Sequence, residues 1–431
     1  MRFPEPFPYS RRFFLQRGLT LASLAATVPS FIERSALALA LPAGVSPGAA
    51  SGVLEDRILV VIQLSGGNDG LNTVVPYGMD EYYEARPQLA VSRPGTTGGA
   101  LALSGSSEVG LHPGLAPLKE LFDQGSVSIV QGVGYPNPNR SHFTSMDIWH
   151  TARATGKGDG WLGRYFDCTC NGQPTPDAAI AIGAQAPPAL MGSIQQPVAF
   201  ENERLFQWLG GAGDPDLLSG YTSANRAGVV GGIAEDSQAG FLMRTALDAQ
   251  LSSDRIRRAV SRSSLTRYPG DQLARQLQTI SALIRDGMPT RVYYATLGGF
   301  DTHAGQSGSH ASLMRQLAEA VKAFTEDLRA QGNADRVLTM CFSEFGRRVK
   351  QNASGGTDHG TAAPMILVGP MVRGGLSGTH PSLTDLDGGD LKFGTDFRSV
   401  YAAVLGDWMG ADPAKILDGH SERCAILRRS A

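Results

Sequence analysis

The sequence lacks an excess of charge of either sign. Lys and Arg together number 38 and Asp and Glu 40, which gives a formal net charge of −2 in a chain of 431 residues. Binding to nucleic-acid phosphates needs a basic patch, and a solvating tail needs a run of like charges. The composition therefore predicts no nucleic-acid partner and no other polyanionic partner.

Cysteines and long hydrophobic runs are also scarce. The four cysteines are Cys168, Cys170, Cys341 and Cys424. An oxidising compartment would allow them to pair, but four in a chain this long do not form a disulfide framework, and we interpret them as structural. Beyond the N-terminal region no segment reaches the roughly 20 apolar residues of a membrane-spanning helix. We expect no transmembrane segment in the mature chain.

The N-terminal region has the pattern of an export signal. The Arg11-Arg12 pair precedes a moderately apolar stretch from Gly18 to Val28 and small residues around Ala38. This order is typical of a twin-arginine signal with an A-x-A cleavage site, whereas an arginine-rich surface helix would not explain the alanine-rich end. We expect a signal peptide over 1–40, a linker over 41–56, the twin-arginine translocase as partner during export, and a periplasmic or secreted protein.

Apolar runs alternate with helical patterns over the rest of the chain. The runs that indicate buried strands lie at 57–64, 126–133, 178–182, 291–297, 336–342 and 364–368. The helical patterns lie at 115–124, 142–152, 272–286, 310–331 and 397–406. This alternation predicts an α/β fold, a mostly parallel central sheet with helices on both faces. We expect a single domain over 57–431, with 185–270 as a possible cap insertion.

Metal-ligand residue types gather in the loops next to these runs. Asp301 and His303 are one residue apart and follow two glycines, so both side chains could face one cation. Other carboxylates and imidazoles are Asp69, Glu344 and His359. Because ligands of open α/β sheets bind beyond the carboxyl ends of the strands, we expect a common metal site there.

Several motifs together resemble one bacterial family. They are Gln63-Leu64-Ser65-Gly66-Gly67-Asn68-Asp69-Gly70-Leu71-Asn72, Arg140-Ser141-His142-Phe143, Gly298-Gly299-Phe300-Asp301-Thr302-His303, Ser343-Glu344-Phe345-Gly346-Arg347 and Thr357-Asp358-His359-Gly360. With the export signal, they resemble the family catalogued as domain of unknown function 1501 over nearly all of the mature chain. That family is remotely similar to the alkaline phosphatase and sulfatase superfamily. The resemblance implies a phosphatase-like α/β sheet with two divalent metals and a Ser or Thr nucleophile at its carboxyl edge.

The resemblance implies a ligand role for each matching residue. Asp301, His303 and His359 match the ligand positions of one metal. Glu344 matches a ligand position of the second metal, with Asp69 as the carboxylate after the first strand. Mixed nitrogen and oxygen ligands without thiolate favour zinc or manganese, as one or two ions.

The nucleophile implied by the resemblance is Ser141. It opens the helix that follows the second strand, where unpaired backbone N–H groups favour a phosphate or sulfate. A nearby cation would lower the pKa of its hydroxyl. Thr144 and Ser145 lie one turn later, and we interpret them as ordinary hydroxyls of the helix face.

The sequence also departs from the superfamily pattern. Phe345 stands where a ligand histidine is expected, and His142 could supply the missing imidazole or act as a general acid. Arg347 and Arg140 are candidate anion clamps, since a guanidinium fork matches a phosphate or sulfate edge. The alternative for these arginines is a salt bridge, to Glu344 or to Asp147.

These assignments predict an exported metal-dependent hydrolase of phosphate or sulfate esters, acting on a small molecule or a glycan ester. A different class of protein is also open: a non-catalytic exported binding or scaffold protein on a degenerate phosphatase-like fold, suggested by Phe345. A metal-free hydrolase using Ser141, His359 and Asp301 is disfavoured because the sequence around the serine lacks a G-x-S-x-G elbow.

Overall fold

The computed structural model describes residues 56–170, 172, 176–201 and 255–428. The chain divides into two compact units, and the described residues belong to Ala43–Leu205 and Ile256–Ala431, with only Arg255 from the other unit. The predicted signal peptide over 1–40 and the predicted linker, except Asp56, lie outside the described residues. The predicted cap over 185–270 lies partly outside them and stays a prediction.

A nine-stranded sheet forms the centre of the described unit. Its strands are β1 (Ile58–Leu64), β5 (Val127–Gly134), β6 (Ala179–Ile182), β7 (Val198–Phe200), β8 (Val292–Leu297), β9 (Val337–Phe342), β12 (Ala363–Val368), β13 (Gly375–Ser377) and β16 (Thr395–Asp396). The remaining strands form small sheets: β2 (Val74–Val75) with β4 (Gly110–Leu111) and β3 (Leu101–Ala102), β10 (Arg347–Gln351) with β11 (Thr357–His359), and β14 (Leu386–Asp387) with β15 (Asp390–Leu391).

The sheet is mostly parallel, as predicted. Its order is β13-β5-β12-β9-β1-β8-β6-β7, with β16 also pairing with β5. In the central strand, Val61 pairs in parallel register with Tyr294 of β8 and Met340 of β9. Among the described strands of this sheet, β12 alone is reversed, because it pairs antiparallel with both β5 and β9. The sequence did not predict this reversal, and it brings the start of β12 to the edge where its neighbours end.

Helices cover both faces of the sheet. They are α1 (Gly70–Thr73), α2 (Asp80–Ala85), α3 (Ala116–Asp123), α4 (His142–Thr151), α5 (Trp161–Thr169), α6 (Gln272–Arg285), α7 (Gln306–Gln331), α8 (Phe397–Ala403), a π-helical turn at Val404–Trp408 and α9 (Pro413–Ile416). Leu59 and Val61 of β1 pack in one cluster with α4, α5 and α8. Val60 and Ile62 are equally buried but point to the other face, as the two-residue period of a strand requires.

Aromatic stacking fixes α4, which carries part of the site. The Trp149 ring stacks between Phe342 of β9, at 5.2 Å between ring centroids, and Phe397 of α8, at 4.4 Å. Rings of this size bury a large apolar area and strongly constrain their neighbours. Trp149 lies in the last turn of α4, and this stacking holds the helix against the end of β9.

None of the described helices is both long enough and apolar enough to cross a bilayer.

Candidate metal centre

The loop after β1 packs against the loop after β8. Phe300 N–H donates to Ser65 O at 3.2 Å, and Gly66 has a φ of +117°. A Cβ atom at Gly66 would lie 2.5 Å from Asp301 N, so only glycine permits this approach. The close contact places Asp301 directly beside the end of the central strand.

The Asp301 carboxylate is the centre of a cluster of imidazoles. Its Oδ1 atom lies 3.0 Å from His303 Nε2, 3.1 Å from His359 Nε2 and 3.5 Å from His142 Nε2. His303 Nε2 and His359 Nε2 are 2.9 Å apart. The ligand-type atoms of His142, Asp301 and His359 all lie within 4.8 Å of one another. Side chains from the start of α4, from the loop after β8 and from β11 thus meet, and they include Asp301, His303 and His359, which the sequence predicted to share one site.

The outer ring nitrogens indicate where the protons lie. His359 Nδ1 is 2.8 Å from the carbonyl oxygen of Arg140, and His142 Nδ1 is 2.8 Å from Glu344 Oε1. Both partners are acceptors, so each Nδ1 carries a hydrogen and, in the neutral ring, each Nε2 presents a lone pair. These lone pairs face the Asp301 carboxylate, and His142 Nε2 is buried with no hydrogen-bond partner among the described residues. Two hydrogen-bond acceptors that face each other repel unless a proton or a cation lies between them.

Glu344 holds His142 in place. It is 1% exposed, and besides His142 it accepts hydrogen bonds from Gly66 N–H at 2.9 Å and from Ser343 Oγ–H at 3.0 Å. A carboxylate behind a histidine fixes the tautomer and ring orientation of a metal-binding imidazole. The sequence predicted Glu344 as a direct metal ligand. In the structure Glu344 instead contacts the outer nitrogen of His142 and orients that ring.

Arg347 clamps the backbone of the site. Its guanidinium, which is fully buried, donates to Gly67 O at 2.7 Å, Thr357 O at 2.9 Å and Phe300 O at 3.0 Å, and also to Gly66 O. It further donates to Asp301 Oδ1 at 2.7 Å.

These N–H groups already donate to acceptors within the protein, so the Arg347 guanidinium is not available to bind a substrate anion. The sequence left a salt bridge open as the alternative role of Arg347. The structure shows such a salt bridge, and its partner is Asp301. Burial acts to raise the pKa of Asp301, but the hydrogen bond and the charge of Arg347 outweigh it and lower the pKa to about 2. Asp301 is therefore ionised at neutral pH.

Asp69 is placed in a different network. It is 1% exposed, caps α1 by accepting from Asn72 N–H at 3.4 Å, and pairs with Arg86 Nη1 at 2.6 Å. Gln306 donates to the same oxygen, Oδ2. Burial acts to raise the pKa of Asp69, yet the charge of Arg86 and its hydrogen bond lower it overall. Because donors surround the carboxylate, we leave Asp69 out of the proposed ligand set.

Nothing in the sequence pointed to Arg86 or Gln306 as partners of Asp69. Arg86 lies 17 positions after Asp69, and Gln306 lies 237 positions after it. No short motif joins them to Asp69, so only the folded chain shows that its charge is already compensated.

Ser141 is exposed at the amino end of α4. Its backbone N–H donates to Asn139 Oδ1 at 2.8 Å, and its side chain makes no capping bond. Ser145, by contrast, is buried, and its Oγ donates to Glu344 O at 2.6 Å, which confirms the expected structural role. The neighbouring Arg140 pairs with Asp390 and not with Asp147.

Two further polar residues, Asp358 and His310, differ in their relation to the cluster. Asp358 Oδ1 lies 3.5 Å from His303 Nδ1 and is well placed to orient that ring. His310 is buried and directed to Asn68 Oδ1, at 3.1 Å from its Nε2. Burial lowers the pKa of His310 to about 4, so its ring is neutral at physiological pH.

The cluster fits a divalent cation. Ligands about 2.0–2.1 Å from a tetrahedral zinc are roughly 3.3 Å apart. The nearest pairs among the ligand-type atoms here are 2.9, 3.0, 3.1 and 3.5 Å apart. One carboxylate with imidazole nitrogens suits zinc or manganese better than magnesium or calcium.

The family of the chain is shown by its match over residues 126–420 to the model described as "Protein of unknown function (DUF1501)". The chain belongs to the DUF1501 family. The matched region includes every residue of the ligand cluster, and the DUF1501 description assigns no activity to it. No curated protein matches the chain.

Solved structures with a similar course of the chain include three bacterial proteins. The lipoteichoic acid synthase LtaP from Listeria monocytogenes is 9% identical, with 85% of this chain and 76% of that chain covered and a TM-score of 0.41. The C-terminal periplasmic domain of EcEptC from Escherichia coli, in complex with Zn, is 7% identical, with 73% of each chain covered and a TM-score of 0.36. The PsFucS1 sulfatase from Pseudoalteromonas sp. is 9% identical, with 76% and 66% covered and a TM-score of 0.34. Similarity this loose assigns no activity and no residue role to this DUF1501 protein.

Proposed function

We propose that this DUF1501 protein is an exported metal-dependent hydrolase of phosphate or sulfate esters. The observation that carries the proposal is the convergence of imidazole lone pairs on Asp301 Oδ1, with His142 Nε2 buried and without a hydrogen-bond partner in the described part of the chain. Buried polar atoms are almost always satisfied, so a buried acceptor that faces a carboxylate marks a position that suits a cation. Export is proposed from the sequence of 1–40; replacing both Arg11 and Arg12 by lysine should retain the chain in the cytoplasm.

Four side chains would hold the cation: His142, Asp301, His303 and His359. Glu344 and the Arg140 carbonyl would keep two of the rings oriented, through the 2.8 Å bonds to their Nδ1 atoms. The cation, zinc or manganese, would supply positive charge to polarise the oxyanion of the ester. A cation can polarise the oxyanion of a phosphate ester and of a sulfate ester in the same way.

Ser141 is the proposed nucleophile. Its hydroxyl stands at the amino end of the ten-residue helix α4, adjacent in sequence to His142. Unpaired N–H groups of a first helical turn attract a tetrahedral oxyanion. In the proposed reaction Ser141 Oγ loses its proton and bonds to phosphorus or sulfur while the bond to the alcohol oxygen breaks. The alcohol oxygen takes up a proton, and water then releases the oxyanion from the serine.

A non-catalytic binding or scaffold protein is the second candidate. Two observations favour it: the guanidinium of Arg347 is committed to the protein, and Phe345 places a ring against His142 and His359, with both centroid distances 4.9 Å. A phenyl ring supplies neither a ligand nor a proton. This candidate predicts a bound cation without turnover.

The test measures metal content and turnover together. Protein purified from the exported fraction without chelator should contain about one equivalent of zinc or manganese by inductively coupled plasma mass spectrometry, and Asp301→Ala and His359→Ala should not. The wild type should hydrolyse 4-nitrophenyl phosphate or sulfate.

Ser141→Ala should lose at least about 100-fold in kcat and keep its metal. Thr144→Ala, on the same helical turn, is the matched control and should stay within about twofold. A folded, metal-free wild type would overturn the proposal, and bound metal with no turnover of either ester would favour the scaffold.

A further inference from the structure

A cavity of ≈ 300 Å³ lies beside the ligand cluster, where β5 ends. Glu344 and Phe345 line it. Because the Phe345 ring also packs against the rings of His142 and His359, the cavity and the cluster share a wall. Small-molecule sites in proteins occupy roughly 300–1,000 Å³, so this cavity has room for about one ring.

Two of the side chains lining the cavity have recognition groups that the protein leaves unused. Phe393 is 37% exposed, which is unusual for a large apolar ring. Asp387 is exposed and has no side-chain hydrogen bond or ion pair to any described residue. An apolar ring and one acceptor therefore line the same space.

The charge of the cavity determines what it can accept. Lys392 also lines it, but its ammonium group is paired with Asp385, and the Glu344 carboxylate is occupied by Gly66, Ser343 and His142. Asp387 leaves a net negative charge, which repels a second anionic group and accepts hydrogen bonds from hydroxyls.

We propose that this cavity binds the sugar ring of a sugar phosphate or sugar sulfate ester, with the oxyanion directed to the ligand cluster. Phe393 stacks on the apolar face of the ring, and Asp387 accepts from a hydroxyl. This assignment names the substrate class of the proposed hydrolase and rests on that function.

The kinetic test compares esters with and without a ring. The probes are the 6-phosphates and 6-sulfates of glucose, galactose and mannose, beside ethyl phosphate and ethyl sulfate. The ratio of kcat/KM for the best sugar ester to that for the matching ethyl ester should fall about tenfold in Phe393→Ala and in Asp387→Asn, through a higher KM. Asp80→Asn removes a carboxylate with 83% side-chain exposure that pairs with Arg93 away from the cavity lining, and it should leave the ratio unchanged. An unchanged ratio in both cavity variants would overturn the assignment.

A binding measurement separates failure of this assignment from failure of the proposed function. The methyl glycosides of the same three sugars carry no oxyanion, so their binding does not depend on catalysis. Saturation-transfer difference NMR should show contact with wild type and with Ser141→Ala, and a loss of at least about fivefold in signal with Phe393→Ala. Sugar contact without turnover of any ester would support the cavity and reject the hydrolase. Turnover of the ethyl esters with no sugar contact would support the hydrolase and reject the assignment of the cavity to a sugar ring.

Discussion

Asp69 and Asp301 are a matched pair with opposite surroundings. Each follows a neighbouring parallel strand, β1 or β8, and each forms an ion pair with an arginine, at 2.6 Å for Asp69–Arg86 and 2.7 Å for Asp301–Arg347. The Asp69 side chain is 1% exposed, whereas that of Asp301 is 48% exposed. The oxygens of Asp69 meet donors only, while Oδ1 of Asp301 also meets ring nitrogens with lone pairs.

The difference shows what a carboxylate at a sheet edge needs in order to bind a cation. Asp69 is fully satisfied inside the protein and stabilises the loop that it begins. Asp301 has negative charge left over, an open side and imidazoles in the right places. Position at the edge of the sheet therefore does not by itself identify a ligand; the hydrogen-bond partners of each oxygen do.

The largest expected effect comes from breaking the buried ion pair. Arg86→Met leaves Asp69 buried and unpaired, which should lower the free energy of unfolding by about 3–5 kcal/mol. Equilibrium urea unfolding measures it. Lys119→Met is the control, since its partner Asp123 is 48% exposed and the pair should contribute less than about 1 kcal/mol. Similar losses in the two variants would contradict the contrast drawn here.

The second effect concerns metal affinity and separates the two aspartates directly. Asp301→Asn should weaken zinc binding at least about 100-fold, or about 2.7 kcal/mol, because a neutral amide replaces the charged ligand. Asp69→Asn should keep the affinity within about threefold while reducing stability. Competition with a chromogenic chelator gives both affinities. Equal weakening by the two substitutions would return Asp69 to the ligand set.

A smaller effect is expected from the carboxylate behind His142. Glu344→Gln should weaken zinc binding about 10-fold or more, since the residues that orient metal ligands contribute 10–100-fold. The matched control is Asp358→Asn, whose carboxylate is 59% exposed and 3.5 Å from His303 Nδ1. It should change the affinity less than about threefold. A stronger effect of Asp358 than of Glu344 would mean that His303, and not His142, is the anchored ring.

The smallest effect is a dependence of stability on acid pH in the metal-free protein. The pKa of Asp301 is about 2 in the fold against a usual 3.8, so the unfolded chain takes up its proton at higher pH than the folded chain. The stabilisation is complete above about pH 4 and is lost as the pH falls through about 2.

The unfolding free energies of wild type and Asp301→Asn, measured with urea in the presence of a chelator, should therefore converge over that range. For a carboxylate this exposed the difference should stay below about 1 kcal/mol. A difference that grows on acidification would contradict the sign.

The sequence predicted the regular elements well where the hydrophobic signal is strong. The run at 57–64 is β1 at Ile58–Leu64, and the pattern at 272–286 is α6 at Gln272–Arg285. Short edge strands such as β7 and β13 were missed, because three residues carry too little periodicity to be distinguished from a loop.

The candidate site was predictable in its members more than in their roles. Asp301, His303 and His359 meet as expected, because strand ends converge whatever the details of packing. Glu344 and Asp69 were assigned as ligands because their residue type and position suited that role. Which donor reaches each oxygen depends on residues far along the chain, such as Arg86 and Gln306, and a motif does not contain that information.

The ligand cluster joins residues that are far apart in the sequence. His359 stands on β11, just before the reversed strand β12, and its Nδ1 reaches the carbonyl of Arg140, 219 positions earlier in the chain. Contacts of such long range carry a high entropic cost of chain closure. No short segment of the chain therefore holds the complete ligand set, which exists only where β5, β8 and β12 lie together in one folded sheet.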